Sequence, residues 1–219
     1  MLCGVYYFPT DYGIDIAELA RALEDRGFES LFVCEHTHIP VSRRTPFPGG
    51  GELPKRYKHT HDPFVALSFA AAATKKLKLG TGIALIPQRD PIVTAKQVAS
   101  LDQLSGGRFI FAMGGGWNVD EMENHGARYE TRFKLLRERV LAMKELWTKE
   151  EAEFRRVRQL RSGMALSEAG SIRSPSRSHT LRCCLAARAT TPLSVWWSSA
   201  TAGSHARAAA GSPRARWSA

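Results

Sequence analysis

The end of this chain has almost no acidic residues. Lys and Arg balance Asp and Glu at 20 each over residues 1–154, whereas residues 155–219 contain 11 Arg, no Lys and one acidic residue. This tail is rich in Ser and Ala and has no apolar spacing of period 2 or 3.6. We therefore divide the chain into a first domain, 1–154, and an Arg/Ser/Ala-rich tail, 155–219, which we expect to be disordered.

Long apolar runs, paired cysteine motifs and complete metal-ligand sets are also missing. No run approaches membrane-spanning length and no signal peptide begins the chain, so we expect a cytoplasmic protein with no membrane partner. The four Cys form no CxxC pair, which favours reduced structural thiols. Two H-x-H pairs, at 36–38 and 59–61, lack a matching carboxylate, so we predict no metal site.

The basic tail favours one alternative function, an anion- or nucleic-acid-binding protein. Arg contacts to phosphate supply affinity that does not depend on nucleic-acid sequence. No aromatic-interleaved motif or RNA-recognition signature accompanies these Arg residues, so nucleic acid ranks low among the expected partners.

Short apolar runs alternate with amphipathic ones through the first domain. The pattern predicts strands at 5–8, 30–34, 77–86 and 109–113, and helices at 14–26, 63–73, 91–104 and 131–148. This βαβα order predicts an α/β fold with a parallel sheet, either doubly wound or the first half of a (β/α)8 barrel. Because no glycine fingerprint follows the first strand, we favour a partial TIM barrel of about four βα units.

Reactive residues of a barrel gather where its strands end. The four predicted strand ends carry Phe8, the pair Glu35 and His36, Gly82 with Ile83, and the segment GGGWN at 114–118. Adjacent residues of a strand point to opposite faces, so Glu35 and His36 enter one pocket only if the strand has ended before them. Three successive glycines let a ring or a phosphate approach the backbone closely.

Several short motifs occur together in the first domain. They are DYG at 11–13, GFESL at 27–31, EHTHIP at 35–40, LGTGI at 79–83, PQRDP at 87–91, LSGGRF at 104–109 and GGGWN at 114–118. Together they resemble the luciferase-like oxidoreductases, and within that superfamily they are most similar to the class that uses the deazaflavin coenzyme F420. The resemblance covers residues 1–154.

The resemblance implies a (β/α)8 barrel that transfers a hydride between F420 and a small organic substrate. It implies catalytic roles for Glu35 and His36, a cis peptide between Gly82 and Ile83, and a tryptophan, Trp117, where some relatives have an acid. The residues it implies for cofactor binding are Phe8, Glu35, His36, Gly82, Ile83, Gly115, Gly116 and Trp117. The alternative within the superfamily is an FMN-dependent monooxygenase. Relatives are often dimers, so the resemblance also implies a homodimer.

The tail contains the family's later motifs only in shifted reading frames. Codons permitted for residues 154–165, read one nucleotide later, allow G-E-F-V-N-F-D-P, and a two-nucleotide shift over 185–207 allows L-G-G-S-G. The family continues with similar segments after its long helix. We therefore expect four βα units followed by an out-of-frame tail, and we expect such a truncated chain to lose the hydride-transfer activity.

Overall fold

The computed structural model describes residues 2–41, 43–149, 152–155, 180–183 and 195–197. Its strands are β1 (Gly4–Tyr7), β2 (Ser30–Val33), β3 (Lys78–Thr81), β4 (Ala84–Leu85), β5 (Phe109–Gly114), β6 (Ala152–Arg155), β7 (Thr180–Cys183) and β8 (Val195–Trp197). Its α-helices are α1 (Ile16–Asp25), α2 (Arg56–His59), α3 (Pro63–Ala73), α4 (Pro91–Leu104), α5 (Val119–Asn124) and α6 (Arg132–Thr148). Single 3-10 turns form at Ile86–Gln88 and Tyr129–Thr131.

The parallel sheet has the strand order of a barrel. Strands β1, β2, β3 and β5 lie side by side in chain order, and each pair is parallel. A doubly wound sheet would reverse this order at a switch point, whereas a (β/α)8 barrel keeps it. The α/β prediction and the partial barrel are therefore confirmed.

Strands β3 and β4 fall within one predicted strand, 77–86, which the structure divides in two. Leu79 pairs with Phe109 and Ala84 pairs with Met113, so five steps along one strand match four along β5. One extra residue on one side of a ladder is a β-bulge. The peptide bond between Gly82 and Ile83 within this bulge is cis, as the family resemblance implies.

Aspartate caps start three of the helices that cover the sheet. Asp15, Asp62 and Asp90 each accept hydrogen bonds from two backbone N–H groups of the following turn. Such caps satisfy donors that have no partner within the helix. Proline follows Asp62 and Asp90 at the first helical position, where it removes a donor that would otherwise lack a partner.

The core lies between the sheet and the helices. Leu31, Leu79 and Phe111 of the strands are fully buried, and α6 contributes Leu136 and Met143 from its predicted apolar face. Within the described part of the chain, no helix is both long and apolar enough to cross a membrane.

Three short strands lie outside these four βα units. Strand β8 pairs in parallel with β5, and β6 pairs with β7 in antiparallel register. The prediction of a disordered tail concerns 155–219, where the structure describes the last residue of β6 and strands β7 and β8. For the other tail residues that prediction lies outside the described ranges.

Candidate functional site

A pocket of about 240 Å³ opens where the parallel strands end. Its lining includes all eight residues predicted from the sequence: Phe8, Glu35, His36, Gly82, Ile83, Gly115, Gly116 and Trp117. The structure adds five residues that sequence reasoning did not select: Tyr6, Cys34, Tyr57, Leu85 and Phe133. The chain therefore brings residues from four strand ends, from helix α2 and from helix α6 to one surface.

Glu35 and His36 both line this pocket because β2 ends before them, at Val33. Beyond the last strand residue the alternation of faces no longer holds. Two adjacent side chains with different chemistry therefore reach the same pocket, as expected for a strand that ends before both of them.

Glu35 is buried, at 3% exposure, and both of its carboxylate oxygens accept hydrogen bonds. Oε2 accepts from Leu85 N at 2.6 Å, and Oε1 accepts from Arg89 Nε at 2.5 Å. Burial raises the pKa of Glu35, and the Arg89 guanidinium opposes that rise. Both oxygens therefore meet N–H donors, which favours the charged carboxylate and opposes the effect of burial.

Arg89 connects Glu35 to the start of helix α3. Its Nη2 lies 2.6 Å from Oδ2 of Asp62, and its guanidinium carbon lies 4.7 Å from the centre of the Phe64 ring. The carboxylates of Glu35 and Asp62 raise the pKa of Arg89, although burial alone would lower it. This ion-pair chain fixes β4 against the end of β2.

His36 is held by a carboxylate from another element. Its Nδ1 lies 2.8 Å from Oε2 of Glu121, on α5, and side-chain exposures are 7% and 1% respectively. A carboxylate only accepts, so Nδ1 of His36 carries the hydrogen. In the neutral ring this leaves Nε2 as an acceptor for a ligand in the pocket.

Aromatic rings form the walls around His36. The Tyr57 ring centre lies 5.1 Å from the imidazole and the Trp117 centre lies 5.9 Å from it. Phe8 packs on Tyr57 at 5.0 Å and Tyr6 packs edge-on against Phe8 at 5.8 Å. Such rings bury large apolar area and favour flat ligands.

Glycines at the end of β5 and directly after it leave room for close packing and for a ligand near the backbone. A Cβ at Gly114 would overlap Cδ1 of Ile83, and Gly116 has φ +77°, a conformation that side chains with a Cβ avoid. The polypeptide backbone is thereby exposed to a ligand at this turn.

Two buried amide side chains near this turn have no hydrogen-bond partner among the residues that the structure describes. Gln88 is 8% exposed and Asn118 is 1% exposed, and both their nitrogen and oxygen atoms lack partners. Gln88 Nε2 lies 3.8 Å from the position that a Cβ of Gly116 would take. Buried polar atoms without partners are costly, so their presence beside the pocket favours a site for a polar ligand edge.

The two H-x-H pairs are engaged in other contacts. His38 Nε2 lies 2.9 Å from Asn124 Nδ2, and His59 Nδ1 lies 2.9 Å from Oδ1 of Asp11. Among the residues that the structure describes, no three His, Cys, Asp or Glu side chains are placed to hold a metal ion.

Arg89 and Glu121 are the two functional partners that the sequence did not identify. Arg89 stands within the PQRDP motif and so had a local signal, but nothing there indicates which carboxylate it meets. Glu121 lies 85 positions from His36 along the chain. No local pattern predicts a contact across that distance.

The sequence matches the family described as luciferase-like monooxygenase over residues 11–210. An uncharacterized protein of Mycobacterium tuberculosis is 46% identical over 152 residues, covering 68% of this chain and 54% of that protein. An F420-dependent glucose-6-phosphate dehydrogenase of Amycolatopsis mediterranei is 30% identical over 148 residues, which cover 64% of this chain and 40% of that protein.

A solved structure supports the fold over a longer part of the chain. A monooxygenase of Streptomyces bottropensis superposes with a TM-score of 0.64 at 20% identity, covering 90% of this chain and 53% of that one. The chain thus spans about half the length of the mycobacterial relative and of this structure.

Proposed function

The chain belongs to the luciferase-like monooxygenase family, and from this premise we propose that its pocket binds the ring of coenzyme F420 and serves hydride transfer to or from an organic substrate. The observation that carries the proposal is the meeting of His36, with Nε2 available, and the glycine turn at 115–116 in one aromatic pocket. Similarity to an F420-dependent dehydrogenase favours the deazaflavin over other cofactors.

The residues present fit a flat, polar-edged ring. A volume of about 240 Å³ lies slightly below the ~300–1,000 Å³ of typical ligand pockets, which suits a ring system better than a whole dinucleotide. The open backbone at Gly116 offers close approach. Gln88 and Asn118, whose amide atoms have no partner among the described residues, lie beside that turn. When bound, F420 would supply the hydride acceptor or donor.

The side chains of this chain then divide the remaining work. For an alcohol substrate, His36 Nε2 would take the hydroxyl proton and the carbinol C–H hydrogen would pass as a hydride to the bound coenzyme, so that the alcohol would become a carbonyl. In the reverse direction the same nitrogen returns the proton. The rings of Tyr57 and Trp117 exclude water around the reacting atoms, and Glu35 with Arg89 holds β4 in position.

Parallel titrations with F420 and with FMN test this proposal. We expect F420 to bind saturably and at least about tenfold more tightly than FMN, a difference of about 1.4 kcal/mol. Tighter binding of FMN would favour the alternative of an FMN-dependent monooxygenase, which the family description supports. Binding of neither would overturn the proposal.

Two further proposals concern the chain as a whole. We propose that residues 155–219 derive from an out-of-frame segment, which sequencing of gene and transcript across codons 150–210 tests. An unshifted gene would contradict it. We also propose a cytoplasmic homodimer acting on a small molecule, and sedimentation equilibrium tests the dimer.

A further inference from the structure

We propose that Glu121 is a positioning residue that fixes the tautomer of His36. The consequence for turnover rests on the proposed function, whereas the tautomer itself is a property of the protein without any ligand. Glu121 does not line the pocket, so it acts through the imidazole.

Glu121 is committed to two donors, one for each oxygen. Oε2 pairs with His36 Nδ1 at 2.8 Å, and Oε1 accepts the backbone N–H of Thr37 at 3.2 Å. Glu121 is 1% exposed, so water does not compete for these oxygens. The carboxylate is therefore directed at the His36 and Thr37 segment.

Helix α5, which carries Glu121, is itself tied to the loop after β2. Arg44 donates from its backbone N and from Nε to Asp120, at 2.9 and 2.8 Å, and the hydroxyl of Thr45 accepts from Val119 N at 3.1 Å. These contacts hold the carboxylate in register with His36.

A neutral imidazole has one N–H and one acceptor nitrogen, and the partner of one decides the state of the other. Since Glu121 can only accept, it requires the hydrogen on Nδ1 of His36. Nε2 then presents a lone pair to the pocket, which is what proton removal from a substrate hydroxyl requires. The negative charge of Glu121 also stabilises the imidazolium formed by that step.

Glu121→Gln should exchange the donor and acceptor nitrogens of the His36 ring, and it leaves the size of the side chain at position 121 unchanged. Its single oxygen is needed by the fixed N–H of Thr37, so its NH2 group faces Nδ1 of His36. Nδ1 must then accept, and the hydrogen moves to Nε2. The pocket would receive a donor in place of an acceptor.

The test is 15N NMR of the histidine ring nitrogens in the purified chain, at a pH well above the ordinary pKa of histidine. We expect His36 to carry its hydrogen on Nδ1 in the parent protein and in Glu121→Asp, and on Nε2 in Glu121→Gln. Glu123→Gln is the matched control, because Glu123 lies on the same helix and pairs with Arg44, and it leaves the tautomer unchanged.

Where the purified chain oxidises an alcohol with F420 as the hydride acceptor, kcat of Glu121→Gln should fall by about 10²–10⁴-fold, with F420 affinity within about threefold of the parent value. Rescue by Glu121→Asp would support positioning. A hydrogen on Nε2 in the parent protein, or on Nδ1 in a folded Glu121→Gln variant, overturns the inference. If Glu121→Gln does not fold, the 15N NMR result for His36 in the parent protein alone decides whether the inference stands. Failure of F420 to bind would overturn the proposed function and leave the tautomer result standing.

Discussion

The two ends of the parallel sheet differ in whether they contain buried amide side chains without hydrogen-bond partners among the described residues. At the end where the strands begin, Arg108 donates five hydrogen bonds of 2.7–3.2 Å to oxygens of Ser105, Thr74, Leu77 and Ala71. At the end where the strands finish, Gln88 and Asn118 are buried without partners in the described part of the chain. The difference is consistent with our proposal that one end holds the fold and the other end binds a ligand, as barrel enzymes generally divide these tasks.

A second polar group strengthens the contrast at the end where the strands begin. The carboxylate of Glu24, at the end of α1, accepts from the backbone N–H groups of Lys75, Lys76 and Leu77 at 2.6–3.0 Å. It thereby joins α1 to the segment that enters β3. These groups satisfy one another within the protein.

Replacement of Arg108 should produce the largest loss of stability. Arg108→Met removes five hydrogen bonds and leaves backbone carbonyls without donors, so we expect about 3 kcal/mol less free energy of unfolding. Urea denaturation measures it, with Arg137→Met on the exposed face of α6 as the control. A loss below about 1 kcal/mol would remove the basis for assigning this end to stability.

Alanine substitutions at two glycines with similar φ angles distinguish an effect on stability from an effect on ligand binding. Gly116 has φ +77° and Gly126 has φ +71°, so an alanine at either should cost about 1–2 kcal/mol. Gly116 lines the pocket and Gly126 does not. We therefore expect Gly116→Ala to weaken F420 binding at least about tenfold, about 1.4 kcal/mol, and Gly126→Ala to leave it unchanged. Equal effects of both on F420 affinity would contradict the placement of the ligand.

Glu24→Gln tests whether the Glu24 carboxylate stabilises the end of the sheet where the strands begin, by the pH dependence of the free energy of unfolding. Burial opposes ionisation of Glu24, but three backbone N–H groups outweigh it and lower the pKa of Glu24. A lowered pKa in the folded protein gives stability that is present above the unfolded pKa and is lost as pH falls through the folded pKa. The variant should be about 1 kcal/mol less stable at neutral pH, and urea curves should converge in acid. A gap that stays constant into acid would refute this account.

Thiol labelling should give the smallest effect. Cys34 lines the pocket, and burial raises its pKa to about 11, whereas Cys3 is exposed. Because the thiolate is the nucleophile, iodoacetamide at a pH of about 8 should modify Cys3 well before Cys34. Peptide mass spectrometry measures the two rates, and F420 should slow Cys34 further. Equal rates would show that the pocket is open to solvent at Cys34.

Local patterns were sufficient to predict the elements and their common edge. Alternating apolar and amphipathic runs located the main strands and helices, and parallel order brought Phe8, His36, Gly82 and Gly116 to one pocket. Those residues stand at strand ends, so their meeting follows from topology alone.

The interactions that the sequence did not predict join distant parts of the chain. The pairing of Glu121 with His36, and of Arg89 with Glu35, depends on how a loop and a helix fold back over the sheet. The short helix α2 likewise lies between the predicted strand 30–34 and the predicted helix 63–73, where no element was predicted, and its Arg56 guanidinium contacts the Phe8 ring at 5.1 Å. Local propensity carries no information about such contacts.

The division between the two ends is tested most directly by hydrogen exchange of the purified chain, measured by mass spectrometry with and without F420. We predict that F420 slows exchange in segments 34–38, 82–86 and 113–118, where strands end around the pocket. Segments 74–79 and 105–109, where strands begin, should exchange at the same slow rate in both samples. Protection by F420 at the beginning of the strands, or none around the pocket, would contradict the account.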